Sequence, residues 1–206
     1  EESKEQFLKV ISLDSNRFIV WQQLFLIESE LKNHESLSKF SNKAIELFPE
    51  QPISYLYNGV SLYELKKYDE AIIILKKGVE KVVDNKKLQS QFYSFIGDIY
   101  HKQNNINESF ENYDKALVLE KDNSSVLNNY SYYLLLQNGN LSKAETMSKR
   151  SIELEPNNPS FLDTYAWVFY KKGDYIEAKK WIEKALLADN EKNGTIIEHY
   201  ADILFK

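Results

Sequence analysis

Asp163-Thr164-Tyr165-Ala166-Trp167-Val168-Phe169-Tyr170-Lys171-Lys172-Gly173-Asp174-Tyr175-Ile176-Glu177-Ala178 decides the fold, because it repeats the pattern that runs from Asn58-Gly59 to Tyr68-Asp69-Glu70-Ala71. Each stretch carries one small residue in mid-helix, a short turn, and a second small residue early in the next helix. The first small residue recurs as Gly59, Gly97, Ser131, Ala166 and Ala201. The second helix adds Ala71, Ser109, Ala144 and Ala178, and seven residues later Gly78, Ala116, Ser151 and Ala185. Small side chains at these points let two helix axes approach closely while larger residues fill around them. A helix-pair period of about 34–35 residues predicts an all-α array that presents an extended binding surface, not a catalytic pocket.

Irregular spacings have places to go. The four extra residues between Gly59 and Gly97 fall in Val83-Asp84-Asn85-Lys86-Lys87, a polar turn between units. In the fourth unit one residue is inserted in Gln137-Asn138-Gly139-Asn140, a turn-forming cluster. The alternative puts Tyr132, not Ser131, at the small position and needs no insertion. In the first complete unit Phe25 and Leu37 stand where small residues are expected, and a Phe there should widen the helix pair. Pro52 and Pro159 suit first helical positions, and Pro49 and Pro156 end helices. Twelve helices are predicted, at roughly 5–13, 17–32, 35–48, 52–66, 69–82, 87–103, 107–120, 124–138, 141–154, 159–172, 175–188 and 193–205. They make a single array: a half-repeat at 1–16, repeats at 17–51, 52–86, 87–123, 124–158 and 159–192, and a half-repeat at 193–206. Broken units at both ends read as a stretch of a longer array.

Composition agrees and excludes several classes. Six Gly and four Pro in 206 residues favour helix, and 14 Tyr with 11 Phe supply bulk between layers. A net charge of −5, with Arg17 and Arg150 the only arginines, argues against a nucleic-acid groove. Without Cys there are no disulfides, thiolate metal sites or Cys nucleophiles. No apolar run approaches the ~20 residues of a membrane span.

At Tyr93, Ile96-Gly97, Tyr100, Ser109, Tyr113 and Ala116 the chain resembles the tetratricopeptide repeat family. The same pattern returns at Tyr55, Gly59, Leu62, Ala71 and Leu75, and at Leu162, Ala166, Phe169, Ala178, Ile182 and Ala185. The resemblance covers residues 17–206 and implies a right-handed superhelical solenoid of antiparallel helix pairs. More narrowly, Leu127–Leu134 followed by Leu162–Trp167 is similar to bacterial envelope proteins of this family. That implies a periplasmic or outer-membrane-anchored full-length protein, such as a lipoprotein; a cytoplasmic location is the alternative. Some family members grip acidic carboxyl termini with Lys and Asn. Here the corresponding positions hold Gln22 and Leu26, Leu56 and Val60, then Ser94 and Asp98, so that clamp is not expected.

No catalytic constellation is visible: no Gly-x-x-x-x-Gly-Lys, no Gly-x-Ser-x-Gly and no His-Glu-x-x-His. No cofactor, metal site or enzymatic activity is expected. His34, His101 and His199 lie in separate units and read as surface histidines, and the carboxylates mostly read as solvated helix faces. In the implied superhelix the first helix of each pair lines the concave side. That places Asp98 and His101, Asn128 and Tyr132, Asp163, Trp167 and Tyr170, and Glu198 and Asp202 on the groove. Aromatic residues beside carboxylates suit a peptide bearing a Lys or Arg, with the Asn128 amide holding its backbone. The competing reading packs Trp167 and Tyr170 against neighbouring helices. The expected function is a non-catalytic scaffold or adaptor that binds peptide segments, in a bacterial envelope assembly. The alternatives are the substrate-recruiting part of a larger enzyme, or a self-association module.

Overall fold

A computed structural model describes residues 2–190 and 192–206, and all their regular structure is helical. The helices are α1 (Glu2–Leu13), α2 (Phe18–Glu30), α3 (His34–Leu47), α4 (Pro52–Glu64), α5 (Tyr68–Glu80) and α6 (Lys86–Lys102). They continue with α7 (Ile106–Leu119), α8 (Ser124–Leu136), α9 (Leu141–Leu154), α10 (Pro159–Lys172), α11 (Tyr175–Ala188) and α12 (Gly194–Leu204). Pro52 and Pro159 open α4 and α10 as predicted, where a missing N–H leaves no bond unmade.

Even-numbered helices α2 to α10 end alike. Lys32, Lys66, Asn104, Asn138 and Gly173 take φ of 53°, 61°, 61°, 49° and 79°. Each stands seven residues past the contact position of its unit, namely Phe25, Gly59, Gly97, Ser131 and Ala166. The next N–H closes the helix end by reaching back a full turn: Asn33 to Glu28, Lys67 to Leu62, Asn105 to Tyr100, Gly139 to Leu134 and Asp174 to Phe169, all at 2.8–3.0 Å. This rule resolves the fourth unit, because Asn138 is seven residues past Ser131 but six past Tyr132. Ser131 is buried and its Oγ donates to the Ala144 carbonyl at 2.8 Å. Asp174 caps α11 directly after its left-handed residue, whereas Gly139 intervenes before Asn140 caps α9. Gly139 is therefore the inserted residue.

The chain forms two compact units, residues 1–112 and 113–206. The first holds α1–α6 and the start of α7, around Tyr55, Leu62, Leu75, Phe92, Ile96 and Ile99. Its glycines mark close approaches: a Cβ on Gly59 would sit 2.4 Å from Leu75 Cγ, and one on Gly78 2.4 Å from Phe92 Cε1. Phe25 and Leu37 are buried together with Trp21 and Ala44, and α2 meets α3 over fewer residues than α4 meets α5. Glu28, fully buried on α2, occupies the place that Leu62 and Leu134 hold in other units. It pairs with Lys4 of α1, whose Nζ lies 2.7 Å from Oε1 but off the axis of an aligned hydrogen bond.

The second unit is built on α10, which packs against α8, α9, α11 and α12. Every residue from Phe161 to Val168 is buried. Leu162, Ala166, Ala178, Ile182, Ile196 and Ile203 make its core.

Candidate functional site

Asp163, Trp167 and Tyr170 recur on one face of α10 at helical spacing. Neighbouring helices in the second unit cover that face with two more rings: Tyr132 from α8 and His199 from α12. The His199 ring lies on Trp167 with centroids 4.0 Å apart and planes 16° apart. Tyr170 covers the opposite face of Trp167 at 4.3 Å and 8°. Tyr132 stands 6.0 Å from the His199 ring. Three rings are thus piled as Tyr170, Trp167 and His199, and Trp167 retains only 8% of its exposure.

Asp163 fixes the end of the pile. Its two carboxylate oxygens lie 2.9 and 3.0 Å from His199 Nδ1, and its residue exposure is 5%. An ionised carboxylate only accepts hydrogen bonds, so the proton sits on Nδ1. His199 was expected on the surface; it is buried instead, because α12 packs it between Trp167 and Asp163. The missed signal is one of register. Asp163 and His199 are 36 residues apart, one repeat plus one residue, which brings adjacent first helices face to face.

Several polar atoms around the pile remain unpaired. Trp167 Nε1 and Asn128 Oδ1 are sealed from solvent with no hydrogen-bond partner among the described residues. Asn128 Nδ2 makes only a long 3.3 Å bond, to Asn129 Oδ1. Glu198 and Asp202 are exposed on α12. Burial pushes the Tyr132 phenol pKa up, and the charges of Asp163 and Glu198 add to the shift. These two carboxylates therefore lie within electrostatic reach of Tyr132. Lys171 Nζ, 5.9 Å from the Trp167 ring, donates to Asn138 Oδ1 at 3.2 Å.

Of the sequence-predicted site residues, Asn128, Tyr132, Asp163, Trp167, Tyr170, Glu198 and Asp202 belong to this second unit. Asn128, Asp163 and Trp167 are more enclosed than a groove-lining position suggests; the His199 ring of the adjacent helix covers Asp163 and Trp167. Asp98 and His101 belong to the first unit, on α6, and both are half-buried. Burial, followed by the charge of Asp98, raises the Tyr63 phenol pKa to about 12. Burial and then Lys102 lower that of His101. The first unit also holds a recess of about 680 Å³ between α3, α4 and α5, walled by Ile73, Ile74, Leu62 and Asn58. On its polar wall Asn58 Nδ2 donates to Ser38 O at 2.9 Å and to Ser41 Oγ at 3.0 Å.

Among the described residues no three His, Asp or Glu side chains are placed to hold a metal ion, and no helix is long and apolar enough to cross a membrane.

Comparison with known proteins gives a consistent result. The family model described as tetratricopeptide repeat matches residues 15–206. The chain is 29% identical over 161 residues to a protein STIP1 homolog of Dictyostelium discoideum, covering 75% of this chain and 26% of that protein. It is 28% identical over 131 residues to the human protein O-mannosyl-transferase TMTC3, covering 62% of this chain and 14% of that protein. It thus spans about a quarter or less of these relatives. Among solved structures it resembles YrrB, a repeat protein reported with an unusual peptide-binding site, at a TM-score of 0.62 and 18% identity, covering 97% of this chain and 99% of that one.

Proposed function

The chain belongs to the tetratricopeptide repeat family, whose repeats mediate protein–protein interaction, and from that premise we propose that it is a non-catalytic adaptor whose second unit binds a peptide segment bearing a basic residue. The observation that carries this reading is the placing of Asp163 and Glu198 within electrostatic reach of Tyr132, beside the rings of α8, α10 and α12. Exposed carboxylates around them favour a cation and repel an acidic tail.

A random-peptide display library selected against the chain tests this. Enrichment of Lys- or Arg-containing peptides, lost in the charge-reversed Glu198→Lys/Asp202→Lys variant, is the expected result. Enrichment of acidic peptides, or binding indifferent to the reversal, overturns it. The similarity of Leu127–Leu134 and Leu162–Trp167 to bacterial envelope members supports placing the full-length protein in the cell envelope, periplasmic or anchored to the outer membrane. Immunodetection in periplasmic and membrane fractions is the test, and a purely cytoplasmic signal is the contrary result.

Two further readings rest on particular observations. On α12 and just after it, Ile197, Leu204 and Phe205 are exposed, and a second copy covering them would make the chain a self-association module. Light scattering across a concentration range tests that, and a constant monomer mass refutes it. The match to one stretch of an O-mannosyl-transferase supports the idea that such repeats recruit substrate within a larger enzyme.

A further inference from the structure

We infer that His199 is a specificity-determining residue of this site, and that its Nε2 accepts a hydrogen bond from an N–H-bearing cation of the partner, a lysine ammonium or an arginine guanidinium. The inference rests on the peptide-binding reading above and adds to it the atom that does the reading.

The geometry leaves His199 a single role. Asp163 holds Nδ1 with both oxygens, so the neutral ring carries its proton there and Nε2 is a lone-pair acceptor. The Trp167 stack fixes the ring plane, which fixes the direction of the Nε2 lone pair. The His199 side chain keeps 9% of its exposure, and Nε2 has no partner among the described residues and is not among the sealed atoms. It is an oriented acceptor at the surface. Glu198 and Asp202 are exposed on the same helix.

The pile also decides between kinds of cation. A quaternary ammonium is normally taken by ring faces. Here both faces of Trp167 are covered, one by Tyr170 and the other by His199. The tryptophan has no free face to offer, so a cation without N–H gains only diffuse attraction from the carboxylates. One that donates can bond Nε2 and meet the same charges.

The test reads the imidazole nitrogens of the intact chain labelled with ¹⁵N-histidine, titrated separately with n-butylammonium, n-butylguanidinium and tetramethylammonium chlorides. In the free protein His199 should report the Nδ1–H tautomer. Its Nε2 resonance should then move saturably with the two donors and stay put with tetramethylammonium. A free protein in the Nε2–H tautomer, an equal response to all three cations, or no response to any overturns the inference. Peptides from the display selection provide the second arm, with His199→Phe, which keeps a ring on Trp167 and lacks Nε2. Binding should weaken about tenfold or more, the size of a hydrogen bond to a charged group, while far-ultraviolet circular dichroism stays unchanged. Basic peptides that bind His199→Phe as tightly as the parent chain would leave the acidic groove standing and remove His199 from it. A selection without basic peptides, alongside an Nε2 response to butylammonium, would do the reverse.

Discussion

Replacing Trp167 with alanine separates a tryptophan that holds the second unit together from one that waits for a ligand. Its ring is enclosed by His199 and Tyr170, and 8% of the residue remains exposed. Large-to-small changes at buried tryptophans cost about 3–5 kcal/mol. This site sits at the edge of the unit and can partly collapse, so a loss of about 3 kcal/mol is expected. Trp167→Phe makes the sharper control. Nε1 has no partner among the described residues, so phenylalanine forfeits no hydrogen bond. It keeps much of the stack, and the change should cost only about 1 kcal/mol. Both are read by urea unfolding in a Trp21→Phe background, which confines tryptophan fluorescence to the second unit. With a slope of about 1–3 kcal/mol per molar urea, alanine should lower the midpoint by about 1–3 M, and phenylalanine by about a third of that. An unchanged midpoint for Trp167→Ala, with peptide binding lost, would refute the reasoning and make Trp167 a surface anchor.

Other expectations concern the first unit, with one comparison position on α12. Gly78→Ala should cost about 2 kcal/mol despite the better helix propensity of alanine, because its Cβ would meet Phe92 Cε1 at 2.4 Å and Tyr55 Cβ at 2.7 Å. Gly194→Ala, with nothing within 4 Å, should stay within about 0.5 kcal/mol of the parent, and chemical denaturation distinguishes the two. Lys4→Ala leaves the Glu28 carboxylate buried and uncompensated, with an expected loss of about 3 kcal/mol or more, whereas Glu28→Leu should be close to neutral. Equal effects of the two changes would contradict this account of the pair. Tyr63 has its pKa raised from 10.0 to about 12 by burial first and Asp98 second. The stability linked to its neutral phenol is therefore complete below pH 10 and lost as pH rises through about 12. Tyr63→Phe should flatten the decline in urea midpoint over that window, and identical declines would rule the linkage out.

The helices were legible because their signals are local. Proline at first positions, small residues at crossing points and Asn-Gly clusters in turns each act within a few residues; every predicted helix is present, three of them (141–154, 159–172 and 175–188) with both ends as expected and the rest differing at an end. Choosing between Ser131 and Tyr132 was harder, since both satisfy the spacing of small and large residues loosely. The deciding fact is the left-handed backbone of Asn138, and composition does not reveal φ at a residue other than glycine. The site was half legible for a related reason. Periodicity assigned Asp163, Trp167 and Tyr170 to one face, but which side chain of the next helix covers that face depends on helix packing. His199 was missed for that reason, lying one residue off the repeat from Asp163. Glu28 escaped notice differently: a carboxylate at a core position looks like a solvated one until its lysine, 24 residues earlier, is seen to reach it.

The turn at Asn138-Gly139 has a chemical consequence. Asn-Gly is the dipeptide most prone to spontaneous deamidation, since the glycine nitrogen meets little steric resistance when it attacks the asparagine side-chain carbonyl, closing a five-membered imide and expelling ammonia. Here that nitrogen is pinned: its N–H donates to the Leu134 carbonyl at 2.8 Å. Ring closure must wait for the end of α8 to fray. The rate at which ammonia leaves this position is therefore a clock for local opening of the fourth repeat, and it should run faster in any variant that loosens α8.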